Sequence, residues 1–227
     1  STPNFTDYQA YFSYGTSGKT DIVNNSTYLN ALNDAANSKP SNSFTALEIN
    51  KLVNGFSAIL AEANGTSVSD QQDYDPIKDD YLAVGVGSGS LNDAAINEMM
   101  NITESVTLLT DVIANKTVDK VDTVSELNAL AFIVAKIYGL EKKTSTGSSS
   151  YTDIPGGALQ ITELESLGLD ASNLRNTNFS NTVLGNRLNS VYDGIIAIDH
   201  SSQTSRQLMD SLLEIQVLIN NTSTITA

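Results

Sequence analysis

Apolar residues in this chain recur at intervals of three and four and hardly anywhere in strict alternation. Leu47, Leu52, Phe56, Ile59 and Leu60 follow that spacing, as do Ile96, Met99, Met100, Val106, Leu109 and Ile113, and again Leu127, Leu130, Ile133, Val134 and Ile137. A side-chain period of 3.6 places such sets on one face of a helix, whereas a half-buried strand needs a period of two. No Asn-Gly turn joins two alternating runs, so hairpins have no sequence support. The expected fold class is therefore all-α. The chain has 227 residues, 40% of them hydrophobic, which is enough apolar material for a core. It has no cysteine, so neither a disulfide nor a thiolate-bound metal can brace that core, and helix packing must hold it together.

Start and stop signals mark out the segments. Ser43 or Thr45 followed by Glu48 reads as a capped start for a helix that Asn64 and Gly65 break. A shorter helix around Tyr28, Leu29 and Leu32 is expected to stop before Pro40. One long helix is expected over 93–114, and another over 123–140 with Asp122 or Thr123 as cap and Glu126 in its first turn. Further helices are expected at 162–167, closed by Gly168, at 181–198 and at 205–219. Residues 144–152 form the one Ser/Gly-rich linker. This gives an N-terminal helical extension over 1–43, a first helical region over 44–143 and a second over 153–227, packed as one compact domain.

Twelve basic against 26 acidic side chains leave a formal charge of -14, which disfavours nucleic acid and anionic membrane surfaces as partners. No apolar run is long enough to cross a bilayer, and no segment reads as a secretion signal. Serine, threonine and asparagine make up 72 residues, so solubility rests on hydroxyls, amides and carboxylates. With cysteine avoided, that composition fits a bacterial extracellular or cell-surface protein.

The sequence also resembles itself. Asp80 to Val86 is matched by Glu163 to Leu169, 83 residues on: each is an acidic residue opening a one-turn apolar segment closed by a glycine. Leu91 and Leu174 keep that offset, Glu126 to Leu130 has a looser counterpart at Gln207 to Leu212, and Glu48 to Leu52 is a partial earlier copy. The expected architecture is thus a helical bundle of two roughly 80-residue repeats plus a partial N-terminal unit, each too small to bury its apolar faces alone. Gly85 and Gly168 read as left-handed helix ends, a conformation that glycine adopts without strain.

The glycine-closed short helix and the stretch Val121 to Leu130 resemble the helical repeats of very large, repeat-built bacterial adhesins and related cell-wall or biofilm proteins. The resemblance covers roughly residues 44–220 and is most specific at Val121 to Leu130. It implies an extracellular, non-enzymatic structural or adhesive module whose partners are neighbouring domains of the same surface protein. A peptide- or glycan-binding adhesin domain, and a surface-layer lattice subunit, are the alternatives.

Candidate sites are few. Asp73, Asp75, Asp79 and Asp80, around Pro76, carry enough carboxylate oxygens to hold calcium, although the spacing is not that of an EF-hand. The competing reading is a solvated acidic loop whose Asp79 or Asp80 caps the next helix. Tyr8, Tyr11 and Tyr14 offer flat apolar area with a polar tip to a glycan or peptide, or form the buried face of a helix. His200, the one histidine, lies beside Asp199 and Ser201, where it reads as a helix-end charge rather than a catalytic base. No cofactor is required by any motif.

Overall fold

A computed structural model describes residues 26–38, 45–63, 75–89, 91–143, 151, 153–175, 180–198 and 209–222. The described residues are mostly helical and contain no strand, as the periodicity requires. Nine α-helices are present among them: α1 Ser26–Ser38, α2 Ala46–Glu62, α3 Lys78–Val84, α4 Asp93–Met99, α5 Thr103–Ala114, α6 Val124–Glu141, α7 Ile161–Ser166, α8 Asn181–Ile198 and α9 Leu212–Asn221. Two 3-10 turns, Val118–Lys120 and Ser172–Leu174, complete the set. No described helix is long and apolar enough to cross a membrane.

The chain divides into two compact units. The first holds the described residues up to Asn97 together with Ile113–Ala131; the second holds Glu98–Val112 and the described residues from Phe132 onward. In the first, α2 packs on α3 and α1 packs on both. Leu52, Phe56, Ile59, Tyr81, Val84 and Ile96 are among its fully buried side chains. Gly55 sets the closeness of α2 and α3, because a Cβ there would stand 2.6 Å from the backbone oxygen of Asp80 and 3.2 Å from Cγ1 of Val84. In the second unit α8 packs on α9 and both meet the turn at Ser172–Leu174. Ile133 to Tyr138 are buried without a break, so this stretch of α6 is covered on every side rather than along one stripe. Tyr151, inside the Ser/Gly-rich segment, is also buried, with its ring edge-on to Tyr192 at 4.6 Å between centroids.

Helix ends follow the local signals where those signals are strong. Thr45 and Glu48 form a complete capping box on α2, with Thr45 N–H donating to Glu48 Oε2 at 2.8 Å and Glu48 N–H donating to Thr45 Oγ1 at 3.2 Å. Thr123, not Asp122, starts α6 by the same pair of bonds, 3.1 and 3.2 Å, with Glu126. Both short helices close as the glycines suggest. Gly85 has φ +108° and Gly168 φ +100°. Val86 N–H donates to Tyr81 O at 3.0 Å and Leu169 N–H to Leu164 O at 3.3 Å, the six-to-one bond of a glycine-terminated helix.

Other expectations need correction. The single helix over 93–114 is two, because the chain turns at Met100 to Ile102, where Asn101 N–H bonds to Glu98 O and Ile102 N–H to Met99 O. Met99 and Met100 are both buried, and leaving the helix there puts two successive side chains into a core. Leu47 is 65% exposed and lies outside the apolar face of α2. Leu91 is fully exposed whereas Leu174 is fully buried, so these two residues are not counterparts. The last helix begins at Leu212 rather than at Ser205. Gln207 lies outside the described residues, and Met209 to Ser211 precede α9, so this segment is no match for the first turn of α6.

Gly55 and Gly185 give a test of the packing. Gly55→Ala gains helix propensity but drives a methyl into the Asp80 carbonyl, and is expected to lower stability by about 1–3 kcal/mol. Gly185→Ala on α8, where a Cβ meets nothing within 4 Å, is expected to raise it by about 0.5–1 kcal/mol. Urea unfolding of the two variants beside the parent chain checks both signs.

Candidate functional site

The acidic residues singled out by sequence do not share one role. Asp73 and the three tyrosines, Tyr8, Tyr11 and Tyr14, lie outside the described residues, as does His200. Asp75 is exposed just ahead of α3, and Asp79 is exposed in its first turn. Asp80 turns back to accept the N–H of Ile77 at 3.0 Å, so this carboxylate holds the start of α3. Asp79 and Asp80 also line an open depression of about 470 Å³ with Lys51, Asn54, Leu82 and Ala83. Lys51 brings a positive charge to its rim. Among the described residues no three acidic or histidine side chains converge in the way a metal ion would need.

Glu163 stands where Asp80 stands, at the third position of a short helix, and it carries two loads. Its Oε2 accepts Gln160 N–H at 2.7 Å and its Oε1 accepts Lys136 Nζ at 2.7 Å. The Lys136 side chain is only 4% exposed, lies 5.5 Å from the Phe132 ring centre, and has Glu163 as its ion-pair partner. A buried ammonium of this kind requires its carboxylate, since the uncompensated charge would be costly. Nearby, Tyr192 donates its hydroxyl hydrogen to Leu159 O, and burial first, then the Glu163 charge and Tyr151, push its ionisation well above the usual tyrosine range.

The acids around 119–126 are helix-start residues. Asp119 sits on Thr117 Oγ1 at 2.5 Å and on Lys120 at 3.0 Å, and both interactions hold its carboxyl below the ordinary range. Asp122 is raised by burial and by the neighbouring Glu126 charge.

What sequence reasoning missed is a pair of aspartates in helix interiors. Asp34, on α1, accepts the N–H of Val124 at 2.8 Å, and Val124 is the first residue of α6. Asp111, on α5, accepts the N–H of Leu212 at 2.6 Å, and Leu212 is the first residue of α9. Each bond lies within one compact unit. A carboxylate at the first N–H of a helix satisfies an orphan donor and meets the positive end of the helix dipole. The parallel extends further. Four residues into each capped helix an amide oxygen takes a backbone N–H from the loop after the short helix: Asn128 Oδ1 from Gly87 and Gln216 Oε1 from Asp170, both at 2.8 Å. Glu214 reaches back to Asp210 N–H at 3.1 Å, and Glu141, buried, accepts Met209 N–H at 2.6 Å. Carboxylates drawn from three helices therefore assemble the start of α9, which Ser211 does not cap with its own side chain.

A sequence signal for this arrangement exists. The pattern Glu, Ile or Leu, Asn or Gln, any residue, Leu occurs at Glu48 to Leu52, Glu126 to Leu130 and Glu214 to Leu218. In all three helices the glutamate is the third residue and the amide the fifth. The third occurrence was hidden because the loop ahead of α9 shifts it seven residues beyond the expected place.

Compared with known protein families, curated proteins and solved structures, the chain matches none.

The capping aspartates make a direct prediction. Asp34→Ala leaves the first N–H of α6 without its acceptor and is expected to cost about 1–2 kcal/mol, while Asp34→Asn, which retains an oxygen, recovers about half. Urea midpoints at constant slope check both.

Proposed function

We propose that this chain is a non-enzymatic structural or adhesive module, a run of closely similar helical units that acts as an acidic spacer or a presented surface of a bacterial cell-surface protein. One observation carries the reading. Both compact units are closed by the same contacts: an aspartate on the first N–H of a capped helix, and an amide in that helix on the loop behind a glycine-terminated short helix. The same closure at corresponding points inside each unit is what a module built from repeated helical units would show. Acids at the helix starts fit this role, because Asp80, Glu126 and Glu163 each accept a backbone N–H there.

The net charge of -14, the absence of cysteine and the hydroxyl- and amide-rich composition support placement outside the cell. The proposed partners are adjacent domains of the same surface protein. Antibodies raised against the folded chain are expected to label intact cells of its source. Labelling only after permeabilisation rejects the surface assignment.

Calcium belongs to the proposal through Asp73, Asp75 and Asp79, with Asp80 already engaged at Ile77. An ion bound only by the folded chain raises the thermal midpoint by mass action. The expected outcome is a midpoint higher in calcium than in chelator; equal midpoints assign the acidic segment to helix capping and surface charge.

A further inference from the structure

Two copies of the helix-start contact are made inside the chain, and among the described residues the parts of a third are present. In chain order α1 is followed by α2, α5 by α6 and α8 by α9, each second helix carrying the glutamate and amide pattern, and Asp193 lies on α8 as Asp34 and Asp111 lie on α1 and α5. Two of the flanking positions are similar in kind. Leu32, Leu109 and Val191 are buried two positions before the aspartate, Ala35, Val112 and Gly194 follow it, and all three aspartates are half-buried. Asp193 accepts the hydroxyl of Tyr151 on Oδ1 at 2.5 Å, and among the described residues no other donor is bonded to its Oδ2.

The complementary half is at the other end of the sequence. Helix α2 has the glutamate and amide of α6 and α9 at the same positions, Glu48 and Asn50. Its capping box fixes the first turn, yet Thr45, Ala46, Leu47 and Glu48 are all exposed, whereas Val124 and Leu212, the counterparts of Ala46, are buried under their aspartate-bearing helices.

We infer that the first turn of α2 in one copy of this chain docks on Asp193 of a second copy, with Asp193 Oδ2 accepting the N–H of Ala46, so that chains join head to tail. The occupant follows from the two joints the chain already makes with its own residues, which are the same contact in the same register. Charge also favours it, because a carboxylate meets the positive end of a 17-residue helix. The donor and acceptor surfaces differ, so the interface is heterologous and does not close after two copies. The inference extends the structural reading above but does not depend on surface location. A chain that fails to label intact cells can still associate, and a labelled chain can be monomeric.

Sedimentation equilibrium of the full chain tests it at physiological salt, where a screening length of about 8 Å suppresses the repulsion between two acidic chains. The expected result is association that grows with concentration without stopping at a dimer, and that strengthens as salt is raised. Ala46→Pro removes only the donor: proline suits the first position of a helix, and the extended backbone of Thr45, φ -74° and ψ 156°, suits the residue before a proline. Its association is expected to weaken about tenfold or more with the helical circular dichroism unchanged. Asp193→Ala is expected to weaken it comparably, while Tyr151→Phe, which keeps the carboxylate, does not. Mixed in equal amounts, Ala46→Pro and Asp193→Ala each supply the half the other lacks, and are expected to form one-to-one dimers and nothing larger. A parent chain that stays monomeric up to about 1 mM overturns the inference, as does an Ala46→Pro chain that associates as the parent does. Should Asp193→Ala fail to fold, Ala46→Pro decides alone.

Discussion

A helix start held by a carboxylate from another helix is the constraint on which both units depend. The first N–H groups of a helix have no partner within it, and in a buried position they must be satisfied or the helix cannot be buried there. Val124 and Leu212 are both buried, and Asp34 and Asp111 are what makes their burial tolerable. Because each acceptor sits in the middle of a helix, it fixes where along that helix the next one begins. A side-chain bond of this kind therefore acts as a register mark between helices far apart in sequence.

Around each mark the same supports recur with different chemistry. The loop behind the short helix is tied by Asn128 in one unit and by the longer Gln216 in the other. In the first unit the carbonyl of Gly87 is taken by Asn97; in the second, Gln216 itself takes the carbonyl of Asp170 through its Nε2. The helix-start acid of the short helix is aspartate in one and glutamate in the other, and only the longer side chain also reaches a buried lysine, at position 136. Conserved geometry with exchanged side chains argues that the joint, rather than any single residue, is what the fold maintains. Close approach is achieved separately, by glycine at position 55, where even a methyl would meet a carbonyl.

Legibility in the sequence tracked how local the determining interaction is. Helix α8 was read to the residue at both ends, and α6 to within one. The capping boxes at Thr45 and Thr123 and the glycine ends at 85 and 168 were also plain, since their bonds span three to five residues. The start of α9 was misplaced because its N–H groups are met by Asp111, 101 residues away, and by Glu141, 68 residues from Met209. The break between α4 and α5 was missed for the same kind of reason, as two neighbouring methionines are buried by packing that no periodicity announces. Of the acids proposed for calcium, Asp80 holds a helix start, the role that the competing reading of the acidic loop offered to Asp79 or Asp80.

The sequence by itself determined that this chain is helical, where most helices begin and end, and that its surface is acidic and rich in hydroxyl and amide groups. Those properties follow from side-chain period, local capping and composition, each readable within a few residues. Only the tertiary structure decided which acids are structural and which face solvent. An aspartate in a helix interior is indistinguishable in sequence from a solvated one until the helix start that it receives is brought against it.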